Sequence, residues 1–157
     1  MSAQTILIMR HAEKPDDTAD PDLTQAGHAR AGTLASWLPA TFGKPEFLFA
    51  SSVSKRSRRP IETLQPLAAR CGLSIDDSYA DQDYGALAHD LRKNAAYDGA
   101  LVVVCWHHGN IPNMMHALKA ADRDYPDPWD RDVFNLILRV DLHDAGAPRV
   151  TLVTEPF

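Results

Sequence analysis

The segment TILIMRHAEKP, residues 5–15, decides how the chain is read. Thr5 to Met9 is nearly all apolar and rich in strand formers. Such a run fits a strand covered on both faces, the usual state of a strand in a parallel sheet. It then meets Arg10 and His11. Arginine is almost never fully buried unless it is paired. The strand therefore either surfaces at Arg10, or ends where charge is wanted.

Working outward, strands and helices alternate. KPDDTADPDLT (14–24) is a loop rich in acid, proline and threonine. Thr24 is placed as the N-cap of a helix over 25–38, with Ala31, Leu34, Ala35 and Leu38 as its apolar stripe and Pro39 and Gly43-Lys44-Pro45 ending it. EFLFAS (46–51) is a second short strand, followed by a polar, basic turn. RRPIETLQPLAARCG (58–72) is a helix with Pro60 in its first turn, Gly72 as C-cap and a kink expected at Pro66. LSIDDSYA (73–80) is a weaker third strand, and 83–97 a helix with Leu87 and Leu91 one turn apart. ALVVVCWHH (100–108) carries the strongest strand signal, with IPNMMHALKAA (111–121) as the following helix. After the loop 122–132, VFNLILRVDL and RVTLVTEPF, joined by HDAGAP (143–148), form an antiparallel hairpin at a sheet edge. The expected fold is α/β, a three-layer sandwich with a mostly parallel central sheet flanked by helices. It forms one domain over residues 1–157, without repeats or linkers.

Composition narrows the function. With 157 residues, 45 % apolar and 24 % charged, the chain can build an ordinary globular core. A net charge of −5 argues against nucleic acid as the main partner. Cys71 and Cys105 form neither a disulfide framework nor a zinc site. No run approaches the length of a membrane span, and MSAQTIL shows no signal-peptide pattern, so a cytoplasmic protein is expected.

Ligands of open α/β sheets bind beyond the carboxyl ends of the strands. At those ends lie Arg10-His11, then Ser51-Ser52 with Lys55, Arg56, Arg58 and Arg59, then His107-His108-Gly109-Asn110. Guanidinium forks pair bidentately with phosphate, and a histidine can act as a covalent nucleophile. Zinc is not expected, because the arginines would repel the cation.

Four segments, MRHAEKP, LTQAGHARA, SSVSKRSRRPIETLQPLA and VVVCWHHGNIP, resemble in order and spacing the motifs of the histidine phosphatase (phosphoglycerate-mutase-like) superfamily. The first differs from its more usual Arg-His-Gly. The resemblance implies a phosphatase of the small branch, acting on a phosphate monoester or phosphohistidine of a small molecule or a phosphoprotein. It implies no cofactor and no metal. It makes His11 the phosphate acceptor, Arg10 the first phosphate-binding arginine and His108 the second pocket histidine. For the second arginine, spacing from Ser51-Ser52 points to Arg56, and Arg-x-x-x-Thr, counted back from Thr63, points to Arg59, which is preferred. Asp83 is ranked just above Asp81 as general acid, with Glu13 as another proton carrier. His107 is read as a packing or supporting residue, and the other histidines and Trp37, Trp106 and Trp129 as structural. A phosphoglycerate-mutase-type phosphotransferase and a non-catalytic phospho-ligand sensor stand as alternatives. Substrate identity and oligomeric state are not legible.

Overall fold

A computed structural model of the protein describes residues 4–143 and 146–157. The opening residues 1–3 and residues 144 and 145 of the expected hairpin connector lie outside the described residues.

β1 (Gln4–Arg10), β2 (Phe47–Ala50), β3 (Ile75–Asp76), β4 (Leu101–Trp106), β5 (Leu136–Leu142) and β6 (Arg149–Thr154) form one sheet in the order β3-β2-β4-β1-β5-β6. The first four are mutually parallel, and β5 runs antiparallel to both β1 and β6. Helices α1 (Gln25–Phe42) and α2 (Arg59–Cys71) cover one face, α3 (Tyr84–Lys93) and α4 (Ile111–Ala117) the other. This is the three-layer α/β sandwich with an antiparallel edge hairpin that the sequence pattern predicts.

The strand alternation of side chains explains the apolar run of β1. Leu7 and Met9 pack with Leu34, Leu38, Leu64 and Leu67 beneath α1 and α2. Ile6 and Ile8 pack with Leu87, Leu91, Met114 and Met115 beneath α3 and α4. Both faces need apolar residues, so the sequence shows no polar alternation.

Several boundaries differ from the sequence reading. α1 continues through Pro39 to Phe42, because a proline in the last turn forfeits only one helical bond. The turn is closed by Gly43 N–H donating to the Pro39 carbonyl at 2.9 Å, and Gly43 takes φ 98°, a conformation suited to glycine. The third strand shrinks to the two residues Ile75 and Asp76, paired only with β2. α3 ends at Lys93 and α4 at Ala117, each earlier than its apolar pattern suggests. β5 begins at Leu136, which leaves Val133 and Phe134 off the sheet, on the side where β1 and β4 end.

Candidate active site

The site begins where β1 and β4 end side by side. Arg10 lies opposite Trp106 in the ladder, and His11 N–H extends the pairing to the Trp106 carbonyl at 3.2 Å. His11 and His107 therefore emerge next to each other. Their rings meet edge to face, with centroids 5.5 Å apart.

Arg10 does not surface. It is 2 % exposed. Its guanidinium lies 3.9 Å above the centre of the Phe134 ring, and Nη1 donates to the Arg131 carbonyl. Nε and Nη2 are buried with no hydrogen-bond partner among the described residues. Burial lowers its pKa to about 10, so Arg10 still carries its charge at neutral pH. A buried cation with two idle donors is costly, and it is a ready receptor for an oxyanion.

His11 is also 2 % exposed. Burial, with the nearby Arg10 and His107, lowers its pKa to about 2, although the Ala12 carbonyl works the other way. The ring is therefore neutral. Nδ1 lies 2.7 Å from the Ala12 carbonyl. A carbonyl can only accept, so Nδ1 carries the proton and the lone pair sits on Nε2. The fold thus prepares a neutral imidazole with one nucleophilic nitrogen beside a buried cation.

The backbone that holds this ring is fixed from two sides. Ala12 N–H donates to Thr63 Oγ1 at 2.9 Å, and Thr63 Oγ1 donates to the Arg59 carbonyl at 2.8 Å. Thr63 thus ties the nucleophile loop to the first turn of α2. On the other side, Thr24 caps α1 by accepting from Gly27 N–H, and its own N–H donates to the Glu13 carbonyl at 3.0 Å. A Cβ on Gly27 would fall 2.5 Å from that carbonyl oxygen, so only glycine permits this approach.

Arg59 stands at the start of α2, half-buried. Its Nη1 donates to the Asp20 carbonyl at 2.9 Å, while Nε is buried without a partner. Burial lowers its pKa, and its charge in turn opposes protonation of His11 and His107. Arg58 is paired with Asp22 and exposed. Arg56 is exposed at the rim of a cleft of about 560 Å³ that Lys14, Asp16, Arg59, Arg131 and Phe134 also line. The structure thus puts Arg59 at the charge centre and Arg56 at the cleft mouth.

The ring against His11 is that of His107, whereas the family resemblance points to His108. His108 stands beside it, its pKa lowered to about 4 by burial and by Arg10 and Lys14. His107 is also lowered by burial, with Asp81 as the opposing charge. Asp83 is exposed, and its carboxylate accepts from the Ala80 N–H at 3.2 Å in a local turn. Asp81 is the carboxylate whose charge acts on His107. Its carbonyl accepts from Trp106 Nε1 at 2.9 Å and its Oδ2 from Asn110 Nδ2 at 2.9 Å, while Oδ1 is buried without a partner. Glu13 is engaged in a two-pronged contact with Arg30.

Sequence reasoning missed Phe134 and the Arg131 carbonyl, and placed Asn110 at a strand end without giving it a role. Asn110, two residues after His108, carried a usable signal. Phe134 did not, since it reads as strand. Among the described residues no three His, Cys, Asp or Glu side chains are grouped to hold a metal, and no helix is long and apolar enough to cross a membrane.

These side chains gather at the carboxyl ends of β1 and β4, and solved structures share the frame that holds them. The chain shares its fold with several solved phosphatases and a phosphoglycerate mutase. It superimposes on a mycobacterial glucosyl-3-phosphoglycerate phosphatase with TM-score 0.69 at 16 % identity, covering 98 % of each chain. It matches the protein histidine phosphatase SixA, solved with tungstate, with TM-score 0.65 at 20 % identity over 96 % of each chain. A phosphoglycerate mutase from Plasmodium falciparum matches with TM-score 0.63 at 13 % identity, over 96 % of this chain and 90 % of the other. No family profile and no curated protein matches the sequence.

Proposed function

We propose that the protein is a phosphohydrolase that works through a phosphohistidine on His11. The observation that carries this reading is the pairing of a neutral His11, lone pair on Nε2, with idle buried donors on Arg10 and Arg59. A bound phosphoryl group would place its oxygens on those donors. Nε2 then attacks phosphorus, the bond from phosphorus to the leaving group breaks, and the leaving atom departs with a proton from the site or from water. Water next attacks phosphorus, the P–N bond breaks, and inorganic phosphate and neutral His11 are restored. Two guanidinium groups aimed at the transferring oxygens supply the electrostatic part of the catalysis. The Ala12 carbonyl holds the imidazole in one tautomer and stabilises the positive charge that develops when Nε2 forms its bond. No metal is required in this scheme.

The leaving group would occupy the cleft toward Lys14, Arg56 and Arg131. A phosphorylated small molecule and a phosphorylated side chain of another protein both suit such an open cleft. The experiment is turnover of para-nitrophenyl phosphate with and without chelator, combined with a denaturing alkaline quench of the wild type and of His11→Ala. Phosphate trapped on the wild type, labile to acid, stable to base and absent from the variant, supports the reading. Turnover in His11→Ala overturns it. Binding of vanadate without turnover by the wild type would assign the protein as a phospho-ligand sensor.

A further inference from the structure

Arg30 of α1 makes more side-chain bonds than phosphate chemistry accounts for, and none of them faces the anion site. Nε donates to both oxygens of Glu13 at 3.0 and 3.1 Å, and Nη2 donates to Glu13 Oε2 at 3.0 Å. Nη1 donates to Glu155 Oε1 at 2.8 Å and to the Phe157 carbonyl at 2.6 Å. The Arg30 and Glu155 side chains are 16 % and 3 % exposed. These bonds join three parts of the chain that meet around the nucleophile. Glu13 lies two residues after His11. Glu155 follows β6, and its N–H donates to the Asn135 carbonyl at 2.7 Å. Asn135 adjoins Phe134, whose ring stacks on Arg10 and lies 6.3 Å from the His11 ring.

A buried ion pair of this kind is weak as a source of stability, since well-packed apolar groups often serve as well. What a guanidinium fork adds is fixed geometry, because its two parallel bonds define a direction as well as a distance. We propose that Arg30 is a positioning residue: by clamping Glu13 against Glu155 it holds the Ala12 carbonyl where it can accept from His11 Nδ1, and so keeps the lone pair on Nε2. The inference rests on the phosphohistidine reading only for its consequence in rate. The position of the His11 proton can be read in the resting protein.

The test uses histidine labelled with 15N, whose shifts report which ring nitrogen is protonated, together with kcat and KM for para-nitrophenyl phosphate. Glu13→Gln keeps the size of the side chain and removes its charge. Arg30→Lys keeps the charge and removes the fork. Arg30→Met removes both. Folded Glu13→Gln is expected to show a mixture of His11 tautomers. Its kcat should fall roughly tenfold or more and its KM change less than about threefold, since a displaced reacting group costs rate before affinity. Arg30→Lys should lie between Glu13→Gln and wild type. Should Arg30→Met not fold, Glu13→Gln decides. A single wild-type His11 tautomer in folded Glu13→Gln and Arg30→Lys overturns the proposal, whatever happens to kcat. An inactive wild type whose tautomer still becomes mixed in Glu13→Gln supports the positioning role while the phosphatase reading fails.

Discussion

The His11 and His107 rings stand edge to face, 5.5 Å between centroids and 71° between planes. The contact follows from the ladder, because β1 and β4 end in register at Arg10 and Trp106. A neutral His107 in that position can present an N–H to an oxygen of a phosphoryl group seated on His11. Loss of one such donor typically costs on the order of a hundredfold in rate. We expect His107→Ala to lose about that much in kcat for an aryl phosphate, and His108→Ala to lose less. The reverse ranking in steady-state assays would return the role to His108.

Thr63 offers a cleaner test of the scaffold. Its Oγ1 accepts from Ala12 N–H and donates to the Arg59 carbonyl. Thr63→Val keeps the shape and strands a buried N–H beside the nucleophile. An unsatisfied buried donor costs about 1–3 kcal/mol. We expect urea denaturation to show that loss, with kcat reduced as the loop relaxes. A variant with wild-type midpoint and slope would mean that Ala12 N–H is satisfied elsewhere.

Those two residues mark how far the sequence could be read. The sandwich was legible because β1 and β4 are apolar on both faces, which only a covered parallel sheet requires. The motif LTQAGHARA also has a physical meaning in the structure: Thr24 caps α1, and Gly27 lets the Glu13 carbonyl approach. Arg59 and Thr63 are four positions apart, about one helical turn, so the extended turn before α2 does not disturb their relation. Three features were not legible. Whether His107 or His108 meets His11 depends on where β4 stops, and strand ends are blurred in sequence. Asp81 and Asp83 differ by two positions in a short 3₁₀ turn, which puts them on different sides. Phe134 lies in the segment VFNLIL, which reads as strand throughout, and only the late start of β5 frees it to cover Arg10.

Acid should destabilise the protein through the same histidines. His11 has its pKa lowered from 6.5 to about 2, chiefly by burial. Below 6.5 the unfolded chain takes up a proton at this position, and the folded protein does not until about pH 2. Stability is therefore complete above roughly pH 6.5 and declines as the pH falls, by up to about 1.4 kcal/mol per pH unit for one such group. His108, lowered to about 4, adds to the decline in the same direction. We expect urea midpoints to fall between pH 7 and pH 5, and the fall to be shallower in His11→Gln, which removes this group while other titrations remain. Equal slopes in the two proteins would show that His11 is accessible to protons in the folded state.

The last expectation separates the two aspartates. Asp81 is held by two bonds from one side, Trp106 Nε1 to its carbonyl and Asn110 Nδ2 to its Oδ2, and its charge acts on His107. Among the described residues Oδ1 has no hydrogen-bond partner, and we expect Asp81 rather than Asp83 to supply the proton of the leaving group. Asp83 faces solvent and serves a turn. If Asp81 carries that proton, Asp81→Asn should slow an alkyl phosphate, whose leaving group needs protonation, by tens to thousands of fold, the usual span of general acid catalysis being about 10² to 10⁴. It should slow para-nitrophenyl phosphate far less, because nitrophenolate leaves unaided. Asp83→Asn should affect both substrates little. Equal losses on both substrates in Asp81→Asn would assign the residue to holding Trp106 and Asn110 in place, and a selective loss in Asp83→Asn would move the acid back to the position ranked first from the sequence.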